Sequence, residues 1–327
     1  MLPDRWSELH GDAFAGVPVL VTGGAGFIGS HLVETLVALG ADVRVYDNLS
    51  EGDRGNVPAG VELVEGDLLD AEKLASAVAG RRTVFHLAAL VSVPRSVLHP
   101  ADYHAVNATG TLNVLEAARL GGVERLVYSA SSSAYGDSEV LPKVETMPPA
   151  PRSPYAATKL AGEELVRSYA ACYELDTAAL RYFNIFGPRQ KADSAYAGVV
   201  AAFAKALLGG KRPTIYGDGT ASRDFTFVAN VAHANLLAAR HDGPLGGELF
   251  NVATGVRHSI NALAETMARL VGKPELTPVY EAERAGDVLH SLADLERSRA
   301  VLGYEPVVSF DDGMRQTVAW YAGEFSG

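Results

Sequence analysis

Short apolar runs alternate along much of this chain with segments whose apolar positions recur at helical spacing. The runs at 17–21, 43–46, 61–65, 83–86, 126–129, 177–181 and 249–252 are apolar and β-branched, without the alternation of a half-exposed strand. Strands of that kind are buried on both faces, which means a parallel sheet covered by helices. Helical spacing predicts helices near 30–39, 71–79, 101–120, 154–173, 196–208, 228–240, 259–271 and 309–323. Right-handed crossovers between these elements give an α/β fold, a Rossmann-type doubly wound parallel sheet. Beyond residue 184 the alternation breaks down and Pro188, Gly209, Gly210, Pro213, Gly217 and Gly219 crowd the chain. That stretch predicts a smaller α/β lobe over the carboxyl edge of the sheet, closing a cleft. The sheet domain is expected over 1–183 plus about 223–255, and the lobe over 184–222 and 256–327. No linker, repeat or low-complexity segment separates them, so one shared core is expected.

The first strand runs into Thr22–Ser30, TGGAGFIGS, and an amphipathic helix follows. A strand, a glycine turn and a helix in that order can hold a pyrophosphate. Gly23 suits the tight turn, Gly26 lets backbone approach phosphate, and Gly29 lets the helix lie close on the strand. The second strand ends in Asp47, eighteen residues past Gly29 and near the spacing of about 20 expected for a ribose-binding acid. A carboxylate there accepts from both ribose hydroxyls and repels a 2′-phosphate, which favours NAD over NADP. Arg44 and Arg54 read as surface charges, not phosphate ligands.

Composition narrows the partners. The 327 residues are 48% hydrophobic and 20% charged, ordinary for an enzyme, and the net charge of −11 argues against nucleic acid and anionic membranes. The single cysteine, Cys172, forbids an internal disulfide and suits a reducing, cytoplasmic setting. Its helical context predicts a packed thiol. No apolar run reaches transmembrane length, and the first 16 residues do not read as a signal peptide. No metal-ligand spacing stands out.

Tyr155 and Lys159, in SPYAATK, lie on one face of a predicted helix. An ammonium near a phenol favours the phenolate and lowers its pKa, which makes tyrosine usable as a general base. Upstream, SASSSAYG puts Ser131, Ser132 and Ser133 at the carboxyl end of a strand, where ligands collect in such sheets. His86, inside a strand, reads as a satisfied core histidine.

With these motifs in place, the chain resembles the extended short-chain dehydrogenase/reductases, the superfamily of NAD-dependent sugar-nucleotide epimerases and dehydratases. TGGAGFIGS is similar to their GxxGxxG turn, Tyr155 with Lys159 matches their catalytic pair, and the likeness covers essentially the whole chain. The resemblance makes Tyr155 the base, Lys159 its tuner and the holder of the nicotinamide ribose, and Ser131 the partner of the reacting hydroxyl. It puts Gly23, Gly26, Phe27, Ile28, Gly29, Asp47, Asn48, Asp67, Leu68, Leu87, Ala88, Ala89, Asn107, Tyr155, Lys159 and Phe183 along the NAD site. From the residues alone, Asp67 reads equally as a turn acid and Asn107 as a helix cap.

Within the superfamily, related dehydratases carry an Asp-Glu pair where this chain has Ser132 and Ser133, and decarboxylases a glutamate at the second position. Hydroxyls do not perform that acid/base work at neutral pH. The fucose-type epimerase-reductases need a cysteine, and Cys172 is distant. What remains is 4-epimerisation of a UDP-hexose through a transient 4-keto sugar. The same resemblance assigns Ser92, Ser131, Ser132, Ser133 and Asn184 to the substrate, Arg223 and Arg284 to its phosphates, Asp287 to the uridine ribose, and Ser291 to the wall of the sugar pocket. A small residue at Ser291 leaves room for an N-acetyl group, and LPKVE (141–145), RYFNIFGPRQ (181–190) and SAYAGVV (194–200) look like epimerases preferring N-acetylated sugars. Ala229 and Asn230 replace two aspartates common in the family, a change expected to affect a loop or cap. UDP-glucuronate 4-epimerisation and an NAD-sensing binding protein are the alternatives. A homodimer is expected through 101–120 and 154–173, although Val106, Leu112, Val114, Leu115, Leu160, Leu165 and Val166 could equally face the chain's own sheet.

Overall fold

The computed structural model describes residues 3–192, 198–283 and 289–325. β1 (Pro18–Thr22), β2 (Asp42–Asp47), β3 (Glu62–Glu65), β4 (Thr83–His86), β5 (Arg125–Ser131) and β6 (Asp176–Tyr182) join a seventh strand, Glu248–Val252, in one sheet. All its pairings are parallel, in the order seventh strand, β6, β5, β4, β1, β2, β3. The winding reverses between β1 and β4, so the crevice beyond their carboxyl ends is where such a sheet takes ligand.

The strands read as continuous apolar runs because successive side chains enter two different cores. Val19, Val21, Val127 and Leu180 enter one, and Leu20, Leu126, Tyr128 and Ala179 the other. Twelve α-helices follow among the described residues: α1 (Pro3–His10), α2 (Phe27–Ala38), α3 (Ala71–Val78), α4 (Val93–Leu98), α5 (Pro100–Tyr103), α6 (Gly110–Leu120), α7 (Pro154–Cys172), α8 (Val199–Leu208), α9 (Val228–Arg240), α10 (Ile260–Leu270), α11 (Glu296–Leu302) and α12 (Phe310–Glu324). α2 and α9 cover one face of the sheet, and α3, α6 and α7 the other. Ser153 starts α7 by accepting from the Ala156 N–H (3.1 Å), with Pro154 at the first helical position.

Beyond β6, α8, α10 and α12 pack together. Three two-stranded pieces accompany them: Ile185–Phe186 with Thr226–Phe227, Ser222–Arg223 with His258–Ser259, and Thr214–Tyr216 with Val279–Glu281. Val200, Phe203, Leu263, Met267 and Met314 belong to the same apolar cluster as Val19 and Phe250, so sheet and lobe share one core. No helix among the described residues is long and apolar enough to cross a membrane.

Three expectations change. The helix expected over 101–120 is three pieces: α5, a π-helical turn at His104–Thr109, and α6. Cys172 is exposed, not packed, because it is the last residue of α7, where the helix leaves the sheet. Asn230 is neither loop nor cap. It is buried in α9, where its side chain accepts from the N–H groups of Val307 (2.8 Å) and Val308 (2.9 Å) and donates to Val308 O (2.9 Å). Of the apolar residues on 101–120 and 154–173, Val114, Leu115 and Val166 face the chain's own core, whereas Leu112 is exposed.

Candidate active site

The chain leaves β1 through Gly23, whose φ of +71° is the left-handed conformation that side chains resist. A Cβ on Gly23 would stand 2.7 Å from Ala88 N, and one on Gly29 would stand 2.1 Å from Gly23 O. The turn, the exit of β4 and the first turn of α2 therefore meet backbone to backbone. Gly26 is the N-cap of α2, and no side chain caps it. First-turn N–H groups, here those of Phe27, Ile28 and Gly29, have no intrahelical partner, and with the helix dipole they suit a diphosphate. Asp47, at the end of β2, accepts from Ala25 N–H (3.0 Å) and Leu49 N–H (2.9 Å) and so fixes the turn. Each carboxylate oxygen keeps a lone pair for a ribose hydroxyl. These residues fit NAD. Arg44 and Arg54 are paired with Glu62 (2.7 Å) and Glu65 (2.5 Å). Asn48 donates to Asp67 Oδ2 (2.8 Å), and Asp67 Oδ1 accepts from Leu69 N–H (2.9 Å) beside buried Leu68, so Asp67 is a turn acid at the rim of the crevice.

The exit of β4 is held by a relay. Ala88 N–H donates to Thr22 Oγ1 (3.3 Å), which donates to His86 Nδ1 (2.8 Å), and His86 Nε2 meets Thr111 Oγ1 (2.9 Å). Thr111 gives its only proton to Asn107 O (2.6 Å), so His86 carries its proton on Nε2. Burial, reinforced by Lys159, lowers His86 to about 3, and it is the neutral core histidine expected. Asn107 is not a helix cap. It sits inside the π-helical turn, where its side chain accepts from Leu90 N–H (2.8 Å) and donates to Leu90 O (2.9 Å) and Thr158 Oγ1 (3.2 Å). It thus fixes the loop carrying Leu87, Ala88 and Ala89 to α7. Phe183 is wholly buried, its ring 6.0 Å from that of Tyr135, so the aromatic ring serves the core.

Tyr155 and Lys159 lie one turn apart at the start of α7. Ser131, the last residue of β5, accepts from Ser133 Oγ (2.9 Å) and Ser133 N–H (3.2 Å), and its hydroxyl lies near enough to the Tyr155 phenol to act on it. Ser132 follows in the same short 3-10 turn. The expected acidification of Tyr155 by Lys159 is reversed by burial. Burial raises the phenol, opposed by Ser131, and burial lowers Lys159 to about 7, opposed by Glu163. The Lys159 ammonium stands 4.5 Å from the centre of the Tyr128 ring. Both shifts have one first cause, burial, which disfavours the charged form of each group.

Across the crevice, Asn184 has a φ of +39° and donates to Asp224 O (3.2 Å). With Ile185, Gln190, Gly198, Val199, Val200 and Phe225 it lines a cavity of about 90 Å³. Arg223 Nη1 donates to Ser222 O (3.0 Å) and Leu289 O (3.0 Å), which holds its side chain along the lobe strand. Ser291 N–H donates to Ser222 O (3.0 Å), and Lys143 N–H to Leu292 O (2.8 Å), so the extended segment around Ser291 is stitched on both sides. Ser92 is the N-cap of α4, accepting from Arg95 N–H (3.3 Å). Arg284 and Asp287 lie outside the described residues, as does part of 194–200.

Comparison with known proteins decides the family. The model of the NAD dependent epimerase/dehydratase family matches residues 19–253. The chain belongs to that family. It is accordingly an NAD-dependent enzyme, and the binding-protein alternative falls away. A UDP-glucose 4-epimerase of Mycolicibacterium smegmatis is 42% identical over 310 residues, covering 92% of this chain and 97% of its own. Among solved structures, a UDP-N-acetylglucosamine 4-epimerase from Methanobrevibacter ruminantium, in complex with UDP-N-acetylmuramic acid, superposes with a TM-score of 0.90 at 38% identity over 95% of this chain and 99% of that one. A UDP-glucose 4-epimerase of Thermus thermophilus in complex with NAD gives 0.85 at 40% identity over 94% and 99%.

Sequence reasoning missed several residues that shape this family member's site. Thr22, Tyr128, Glu163 and Asp224 all support residues it named. Asp224 is fully buried and accepts from Thr254 N–H (2.9 Å), Thr254 Oγ1 (2.6 Å), Gly255 N–H (3.0 Å) and Ala293 N–H (3.3 Å), tying Arg223 to the segment around Ser291. Its only signal is adjacency to Arg223. Glu163 had a usable one, its position one turn past Lys159.

Proposed function

We propose that this enzyme interconverts the 4-epimers of a UDP-sugar, with UDP-N-acetylglucosamine and UDP-N-acetylgalactosamine as the preferred pair and UDP-glucose and UDP-galactose as weaker substrates. The observation that carries the reading is the convergence of Tyr155 and Lys159, one turn apart at the start of α7, with the hydroxyl loop Ser131–Ser133 at the end of β5. Such a site moves one proton at the sugar 4-hydroxyl and has no carboxylate in Ser131–Ser133 for dehydration. Bound NAD supplies a hydride acceptor that becomes the donor for the return step. Tyr155 takes the hydroxyl proton and gives it back, Ser131 orients that hydroxyl, and Lys159 holds positive charge beneath them. Gly23, Gly26 and Asp47 hold the cofactor, as do the first-turn amides of α2. Asn184 and Arg223, with Arg284 and Asp287, take the UDP moiety. The small side chain of Ser291 supports the N-acetylated substrates. A homodimer belongs to the same proposal and is read by sedimentation velocity, a monomer ruling it out.

Holoenzyme incubated without added cofactor with a panel of UDP-sugars, UDP-glucuronate included, should convert the N-acetylated pair fastest, as read by chromatography of the products. Ser291→Tyr should lose that pair and keep the plain hexoses. Turnover of UDP-glucuronate alone would replace the substrate assignment, and no turnover of any UDP-sugar would end it.

A further inference from the structure

Glu163 lies one turn beyond Lys159 on the buried side of α7, and Arg181 reaches it from β6. The pair is bidentate, Arg181 Nε to Glu163 Oε1 at 2.9 Å and Nη2 to Oε2 at 2.7 Å, and both side chains are 2–3% exposed. The guanidinium also stands 4.4 Å from the centre of the Tyr135 ring, whose hydroxyl donates to Asn251 Oδ1 (2.7 Å). A buried ion pair of this kind is weak evidence for stability, since well-packed apolar residues of similar volume often serve as well. Its position suggests another use. The charged and titratable groups facing Lys159 are few: neutral His86 from β4, the Tyr128 ring from β5, Tyr155 and Glu163 on α7 itself, and Arg181 behind Glu163 on β6. Tyr103, from α5, acts on Tyr155, and Glu164, the next residue after Glu163, points to the exposed side of α7 and pairs with Arg167. Among the described residues, Glu163 is the one anion that acts on Lys159.

We propose that Glu163, clamped by Arg181, is a positioning residue that keeps the Lys159 ammonium charged under the reacting tyrosine. The roles follow from the geometry. Residues four apart on a helix are neighbours, with Cβ atoms about 5–6 Å apart. The amine has otherwise only an aromatic face, which attracts a cation but supplies no formal charge. Burial pushes the Glu163 carboxyl up, and the Arg181 fork holds it down, so the fork maintains the anion that Lys159 needs. The Tyr135 ring lies against the guanidinium, and Asn251 holds the Tyr135 hydroxyl. The chain of contacts runs from the catalytic helix through β6 to the seventh strand.

This inference rests on Lys159 acting as the charged partner of Tyr155, so its test reads Lys159 directly. In holoenzyme labelled with 13C-lysine, the Lys159 ε-carbon, assigned by its loss in Lys159→Met, reports protonation by NMR. Glu163→Gln strips the anion but leaves Arg181 buried and unpaired, which puts folding itself at risk. The double variant Glu163→Gln/Arg181→Met removes both charges at similar volume, and the test is made on it. Its Lys159 midpoint should fall by about 1–3 pH units, the range for loss of an adjacent opposite charge. The alkaline limb of kcat should move down with it while KM changes little, and Glu163→Asp should restore the wild-type titration at least in part. A structural role alone would lower the melting temperature and leave the Lys159 midpoint in place, and that result would overturn the proposal. Should the wild type turn over no UDP-sugar, the reading of the reaction fails while the Lys159 titration still decides this inference.

Discussion

Burial works against both members of the Tyr155–Lys159 pair, raising the phenol and lowering the ammonium to about 7. Burial therefore favours the neutral phenol and brings the lysine toward its midpoint at neutral pH. Ser131 is the nearest counterweight on the phenol, and Glu163 on the amine. General-base help of this kind is worth about 10²–10⁴ in rate. Tyr155→Phe should therefore lower kcat by about that factor. It should keep its NAD, because the glycine turn and Asp47, which fit the cofactor, lie on β1 and β2, away from the phenol. Turnover of a UDP-sugar and the nucleotide released on denaturation read the two halves. A fully active Phe variant would remove Tyr155 from the chemistry. The pair was legible in the sequence through its spacing taken together with the glycine turn, Asp47 and the serine loop. Its electrostatics were not, because Tyr128, His86 and Arg181 arrive from three other strands, and a linear pattern carries no dielectric.

Among the elements, the β1–turn–α2 unit depends most on a single atom's absence. A Cβ on Gly29 would stand 2.1 Å from Gly23 O and 2.8 Å from Gly24 Cα, both backbone atoms that cannot swing aside. Gly29→Ala should push α2 off the turn and misplace its first-turn amides. Loss of NAD from the purified protein should then exceed what a milder fall in stability explains, by nucleotide content set against melting temperature. Retention of a full complement of NAD would show that the turn tolerates the displacement. This unit was readable because each constraint leaves a residue type behind: glycines at the contacts, an acid at the end of β2, β-branched residues in strands buried on both faces. The π-helical turn at His104–Thr109 leaves none. Shifting hydrogen bonds by one residue changes no apolar period, so 101–120 reads as one helix, and the reach of Asn107 to Leu90 and Thr158 emerges only in three dimensions. Short α4 and α11 are similarly silent, each too brief for a period to register.

At the scale of the whole molecule, the two cores on either face of the sheet carry four buried histidines that fold neutral. His10 and His86 are lowered to about 3, and His31 and His233 to about 4, with burial the first cause in each case. His10 Nε2 and His233 Nδ1 meet at 3.0 Å under Trp6, pinning α1 to α9, while His31 Nε2 meets Pro188 O (2.9 Å), pinning α2 to the start of the lobe. These rings stay neutral in the folded state where the unfolded chain, near 6.5, takes up protons. The unfolded state therefore binds more protons between about pH 6.5 and 4, so stability falls as pH falls through that window and is full above it. At pH 5 each ring costs roughly 2 kcal/mol, against about 5–15 kcal/mol for a typical domain. Glu163, Glu145 and Asp224, whose carboxyls are raised mainly by burial, act in the opposite sense, since acid relieves their buried charge. The histidines sit further from their unfolded value over pH 5–6.5, where the carboxyls of the unfolded chain are still ionised. The melting temperature should therefore drop steeply from pH 7 to pH 5, and His233→Asn should lower it at pH 7 but flatten the slope. A melting temperature constant across that range, in the wild type, would mean that these rings protonate in the folded protein at little cost and that α1 and α9 part without unfolding the core.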